Sequence, residues 1–255
     1  MADLTALDLF SCIGCHAIGF ERAGIRPIAF CEINPRRQRE IERLFPGTPI
    51  YDDVRALPPT KADVVFGGPP CQRTSVAAAI HGRRTGDSLW PYMLCAGLDA
   101  GAEWIVVEQP PGNKAWETKV SHHLSRAGYH VARLVFGAED VGAPYPRRRV
   151  YIVACASLSR LEIAWQSLPR AIDETKRAAD ARGDWDPDQL ASISVDARSA
   201  GEHVPEFSRE RIERIEALGD SNPPGMAEVI ARCIVSSYQD GPRPCAAQPN
   251  TRGGE

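Results

Sequence analysis

The run Ala62-Asp63-Val64-Val65-Phe66-Gly67-Gly68-Pro69-Pro70-Cys71-Gln72 admits few folds. Its apolar, β-branched start reads as a short buried strand, and the paired glycines and prolines end that strand within one turn. A strand stopped so abruptly delivers the next residue to the carboxyl edge of a sheet, which in open α/β sheets is where ligands bind. That residue is Cys71. The stretch alone leaves two readings open, a small buried hydrophobe or a nucleophile.

The flanking sequence extends the pattern. Leu4 to Phe10 is an apolar strand, Ser11 to Cys15 a small-residue turn, and His16 to Ala23 helix-like, which together open a βαβ unit. Such a turn either presents backbone N–H groups to a ligand or is an ordinary βα connection. Ile25 to Cys31 forms a second strand with Glu32 and Ile33 at its carboxyl end. An acidic residue at that place either accepts from ribose hydroxyls or opens the next helix with the favoured charge. That helix starts at Asn34-Pro35 and runs to Leu44, and Tyr51-Asp52-Asp53-Val54 follows a short strand.

Beyond Cys71, the polar segment from Arg73 to Asp87 has no period and reads as a loop. Ser88 to Ala100 and Trp116 to Gly128 are expected helices, with strands at Trp104 to Glu108, Tyr129 to Phe136 and Arg149 to Ala156. Glu108 ends a buried strand, where an idle carboxylate is costly unless paired. Arg147 and Arg149 are two apart and share one face of an extended chain, suited to a base carbonyl and a carboxylate, or to a strand edge blunted by charge. Glu210 to Leu218 and Pro224 to Tyr238 are expected helices, the second with an apolar stripe that is core packing.

At 255 residues the chain fits one large domain, or one domain with a small appendage. The expected division is 1–156 for a catalytic and cofactor-binding domain, 157–208 for a short insertion, 209–239 for returning helices and 240–255 for a disordered tail. A net charge of −3 gives no global pull toward nucleic acid, so contact with it falls to local groups such as Arg73, Arg83, Arg84 and Arg147 to Arg149. No apolar run approaches the ~18 residues of a membrane span, and the amino terminus lacks a basic start and apolar stretch. The expectation is a soluble cytoplasmic protein, its eight cysteines as thiols. A zinc site from Cys12, Cys15 and Cys31 lacks a convincing fourth ligand, and no metal is expected.

These stretches together resemble the motifs of the DNA (cytosine-5) methyltransferase family. Asp8-Leu9-Phe10-Ser11-Cys12-Ile13-Gly14 resembles its cofactor loop, Gly67-Gly68-Pro69-Pro70-Cys71-Gln72 its catalytic motif, and Glu108-Gln109-Pro110 its Glu-Asn-Val motif. Pro146-Arg147-Arg148-Arg149-Val150 resembles its Arg-x-Arg motif, and Leu218-Gly219-Asp220-Ser221-Asn222-Pro223-Pro224 its closing motif. The resemblance implies a Rossmann-like, doubly wound sheet with a reduced target-recognition region. It also implies S-adenosylmethionine held by Phe10, Ser11, Cys12, Ile13, Gly14, Glu32, Ile33, Asp53, Val54, Pro70, Ser221 and Asn222. DNA would be held by Gln72, Arg73, Ser75, Arg83 and Arg84, with Cys71, Glu108, Arg147 and Arg149 catalytic. The chain departs from the family at Cys12 and Cys15, where glycines are usual, at Gln109-Pro110 and at Asp220. Those departures keep open an altered donor or acceptor, or a relative that binds DNA or cofactor without turnover.

Overall fold

A computed structural model describes residues 3–70, 88–185 and 221–240. Strand β1 (Thr5–Leu9) leads through helix α1 (Cys15–Arg22) to β2 (Arg26–Cys31), and through α2 (Pro35–Leu44) to the short β3 (Ile50–Tyr51). The chain then returns to β4 (Val64–Gly67), α3 (Trp90–Ala100), β5 (Trp104–Gln109) and α4 (Lys114–Arg126). The hairpin β6 (His130–Phe136) and β7 (Arg149–Cys155) follows, then α5 (Leu158–Arg182) and α6 (Pro224–Gln239).

These strands form one seven-stranded sheet in the order β3-β2-β1-β4-β5-β7-β6. Both pairings of β7 are antiparallel, and every other pairing is parallel. This is the expected doubly wound, mostly parallel sheet closed by a hairpin. The winding reverses between β1 and β4, which opens a crevice at their carboxyl ends. Because β7 runs backwards, its first residue and not its last lies at that edge.

Alternation along the strands divides the core. Leu7, Leu9, Val65, Ile105, Val107, Val150 and Ile152 face one side, packed with Trp90, Met93, Val120 and Leu124 of α3 and α4. Ala6, Val64, Phe66, Val106, Tyr151 and Val153 face the other, with Phe20 of α1 and Met226, Val229 and Ile230 of α6. Asp8, Glu108 and Arg149 are in phase with this second set, so strand period alone carries them to one face under α1 and α6.

Two features bind the covering helices. Gly19 of α1 meets α6 so closely that a Cβ there would lie 2.3 Å from the Pro224 carbonyl oxygen. That approach seats Ser221 and Asn222, just ahead of α6, over the start of α1. Helix α5 fills the first half of the segment 157–208, and Leu161, Ala164 and Ala171 join the same core. Fully buried Glu228 of α6 accepts from Arg182 at 3.2 Å and from Arg232 at 2.8 Å, fastening α5 and α6 together. The helix expected at 210–218 lies outside the described residues, as does the expected tail beyond Asp240.

Candidate functional site

On the β1–β2 side, the chain leaves β1 through left-handed backbone. Phe10 has φ 58°, Cys12 52° and Gly14 79°, and the Gly14 N–H closes a turn onto the Ser11 carbonyl at 2.8 Å. Left-handed backbone costs a residue with a Cβ about 1–2 kcal/mol, so Phe10 and Cys12 are held there by their surroundings. Glu32 is one such hold, because its Oε2 accepts from the Cys12 N–H at 2.8 Å and its Oε1 from the Asn34 N–H at 2.9 Å. A carboxylate has about four acceptor sites, so Glu32 keeps capacity for a ligand. The Ser11 hydroxyl is committed to the scaffold, donating to the Asp8 carbonyl at 2.7 Å and accepting from the Cys31 N–H at 3.3 Å.

The other predicted cofactor residues surround this turn unevenly. Ile33 is 69% exposed and Phe10 half-buried, two apolar surfaces beside Glu32 at the crevice. Val54 is buried in a short 3-10 turn. Asp53 is gripped by Arg55, whose Nε lies 2.9 Å away, and that partner holds its carboxyl below the usual range. Cys12 points inward, where the Ser221 hydroxyl donates to its Sγ at 3.2 Å. Burial, opposed by the same hydroxyl, pushes the Cys15 thiol up to about 11, so Cys15 stands as a protonated thiol. No described cysteine is in a disulfide, and no three His, Cys, Asp or Glu among the described residues gather to hold a metal ion.

Asp8 lies beneath the turn. Its two carboxyl oxygens are buried without a hydrogen-bond partner, and desolvation, then the nearby Glu32 charge, raises its pKa well above the usual value. The Ala17 backbone opposes this without forming a well-aligned hydrogen bond.

The β4–β5–β7 side is built from side chains. Glu108 lies one residue past the Gly67–Val107 pairing, level with Gly68, and a Cβ on Gly68 would come within 2.8 Å of its Oε2. Arg149 Nε lies 2.8 Å from Glu108 Oε1, an ion pair too bent to be a hydrogen bond. Burial raises the Glu108 pKa, while Arg149, Asn222 and Arg147 pull it down. Arg147 Nε donates to Asn222 Oδ1 at 3.1 Å, so the two arginines predicted to share a face do so, one on Glu108 and the other on Asn222. Arg148 points away to Glu139, at 3.2 Å. Asn222, expected beside a cofactor, is buried within this cluster, and its Nδ2 lies 3.5 Å from His16 Nε2. Tyr151 pairs with Glu108 across the strands, and its buried hydroxyl lacks a partner.

Sequence reasoning missed three of these parts. Gln109 Nε2 donates to the Pro69 carbonyl at 2.6 Å, tying the end of β5 to the proline turn before Cys71. Gly68 gives Glu108 its room. His16 stacks on Phe66 with ring centroids 4.4 Å apart and faces inward. The double glycine and the change to Gln109 were visible signals, but each needs strand register before it means anything. Pro70 is exposed at the end of the turn; Cys71, Gln72, Arg73, Ser75, Arg83 and Arg84 lie outside the described residues.

The family model for C-5 cytosine-specific DNA methylases matches residues 4–184. Among curated relatives, the Type II methyltransferase M1.HphI of Haemophilus parahaemolyticus is 30% identical over 169 residues, 59% of this chain and 45% of that protein. The Type II methyltransferase M2.BsuMI of Bacillus subtilis (strain 168) is 32% identical over 165 residues, 59% of this chain and 42% of that protein. The chain thus spans less than half the length of either. Two solved structures share the fold. A mutant of Spodoptera frugiperda DNMT2 has a TM-score of 0.52 at 20% identity, covering 61% of this chain and 51% of that one. Entamoeba histolytica methyltransferase EhMeth has a TM-score of 0.50 at 18% identity, covering 62% and 54%. With a match across most of its length on this sheet order, the chain belongs to the C-5 cytosine-specific DNA methylase family.

Proposed function

We propose that this protein transfers a methyl group to carbon 5 of cytosine in DNA, with Cys71 as nucleophile and S-adenosylmethionine as donor. The observation that carries the reading is the buried Glu108–Arg149 pair against Gly68, three residues before Cys71, at the edge where the winding reverses.

Carbon 5 of cytosine is a poor nucleophile. A Cys71 thiolate adding to carbon 6 forms a carbon–sulfur bond and shifts electron density to carbon 5, dividing one hard step into easier ones. The ring nitrogen beside the amidine takes up a proton, for which Glu108 is suited because burial raises its carboxyl pKa. Arg149 steadies the 2-carbonyl oxygen and Arg147 orients the group. Once carbon 5 carries the methyl group, loss of its proton expels the Cys71 sulfur and restores the ring. Reaching the base requires extruding it from the duplex, a task for Gln72, Arg73, Ser75, Arg83 and Arg84.

S-adenosylmethionine, when bound, supplies an electrophilic methyl on a positive sulfonium. The residues present fit it: Phe10 and Ile33 offer apolar surface for adenine, Glu32 has acceptor capacity for ribose hydroxyls, and Cys12 is turned inward. Asp53 and Val54 would flank the adenine, while Ser11 to Gly14, Pro70 and Ser221 would line the amino-acid end. The insertion reduced to 157–208 keeps only residues beyond α5 for target recognition.

Intact-mass analysis with a duplex carrying 5-fluorocytosine tests the reading, since that base cannot lose its carbon-5 substituent. The expected product is a covalent adduct at Cys71 that has gained one methyl group, absent in Cys71→Ala although that variant still binds S-adenosylhomocysteine. An adduct that survives in Cys71→Ala, or none with wild-type protein that binds the donor, overturns it.

A further inference from the structure

His16 has no part in the reaction above, yet it is buried at the start of α1 and directed at the catalytic cluster. Its surroundings say more.

Asn222 ties the cluster together, and its amide can be accounted for atom by atom. The Oδ1 accepts from Arg147 Nε at 3.1 Å. The amide also pulls down the pKa of the nearby Glu108 carboxyl, as its NH₂ end would. Reversing the amide would put an NH₂ against a guanidinium, so the Arg147 contact fixes its orientation. The Nδ2 end then faces His16 Nε2, 3.5 Å away. An imidazole accepts there only with Nε2 unprotonated. Burial, then the Arg149 charge, lowers the His16 pKa to about 3, so the ring is neutral across the working range.

We propose that His16 is a positioning residue for methyl transfer, its Nε2 accepting from the Asn222 amide and so fixing the side chain that holds Arg147 beside Glu108. The role rests on the methyltransferase reading. It links the first helix after the cofactor turn, the approach to β7 and the residues before α6 at one amide. His16 also packs on Phe66, in the strand that leads to Cys71. Ring packing and hydrogen bonding are separable by substitution: His16→Phe keeps a ring against Phe66 without an acceptor, and His16→Gln restores an acceptor without the ring.

Two measurements decide the matter. Nitrogen-15 NMR of the wild-type protein reports the His16 tautomer, and the expected result is an unprotonated Nε2 whose shift moves in Asn222→Ala. Steady-state kinetics then separate positioning from packing. In His16→Phe, kcat should fall about tenfold, the loss of one modest hydrogen bond in the transition state, with KM for DNA and the Kd for S-adenosylhomocysteine within about twofold. His16→Gln should recover to within about threefold of wild type, and adding His16→Phe to Asn222→Ala should slow that variant no further. A proton on Nε2, full kcat in His16→Phe, or equal losses in the Phe and Gln variants would overturn the proposal. Wild-type protein that transfers no methyl group removes the reading of function and this role with it, even where the tautomer shows the hydrogen bond intact.

Discussion

The two halves of the crevice are held by different means. On the β1–β2 side the shape is made by backbone: Phe10, Cys12 and Gly14 adopt left-handed conformations, and Glu32 pins two N–H groups on either side of the turn. On the β4–β5–β7 side the shape is made by four charged and polar side chains from three parts of the chain, Glu108, the Arg147–Arg149 pair and Asn222. A backbone-built surface tolerates changes of side chain that keep the turn, which is how Cys12 can stand where relatives keep glycine. A side-chain-built cluster fails when one member changes, because its buried partners lose compensation.

Breaking the second half should have the largest effect. Glu108→Gln keeps the shape and removes the proton, and kcat should fall by about a hundredfold or more while the Kd for S-adenosylhomocysteine stays unchanged. The same variant tests the pH dependence. Burial raises the Glu108 pKa above its ordinary 4.5, so the protonated, working form persists above the usual carboxyl range and is lost as pH rises through the raised value. Any stability from that bound proton has the same sign, complete below the unfolded value and lost through the folded one. The alkaline limb of the wild-type kcat profile should therefore vanish in Glu108→Gln. A kcat near wild type would dissolve the contrast between the two halves.

Glu32→Gln should act in the opposite sense, weakening S-adenosylhomocysteine binding by about tenfold, the worth of a charge-assisted hydrogen bond, with kcat at saturation little changed. Isothermal titration and saturating kinetics measure the two quantities separately. The smallest effect sharpens the backbone side. Cys12→Gly and Cys12→Ala both delete the thiol, but only alanine keeps a Cβ at φ 52°. The glycine variant should be more stable than the alanine variant by about 1 kcal/mol in chemical denaturation. Equal stabilities would mean that the turn stores no strain.

How much of this was legible in the sequence follows the same division. The order of strands and helices could be read from apolar runs and their punctuation, and the last helix from its stripe, because burial writes a period into the chain. Glu108 and the Arg147–Arg149 pair could be nominated for similar reasons. Their partners could not. That Arg149 meets Glu108 while Arg147 meets Asn222 depends on the antiparallel register of β5 and β7 and on the seating of α6 over α1. Asn222 was assigned to the cofactor through the resemblance of residues 218–224 to the family's closing motif, and its neighbour Ser221 does touch Cys12. One residue further along, Asn222 has already crossed to the side-chain cluster and meets Arg147. The positive φ at Cys12 was hinted at by the glycine usual in relatives, whereas Phe10 gave no such hint.

The close seating of Pro224 on Gly19 also has a temporal meaning. The bond from Ser221 to Cys12 spans 209 residues of sequence, and that from Asn222 to His16 spans 206. A chain leaving the ribosome finishes every described strand of the sheet before it makes the residue that holds Arg147 beside Glu108. Loops of that length close late, after local helices and the hairpin have formed. The contacts expected to form last are therefore those of the side-chain cluster, made once Ser221 and Asn222 have folded back onto α1.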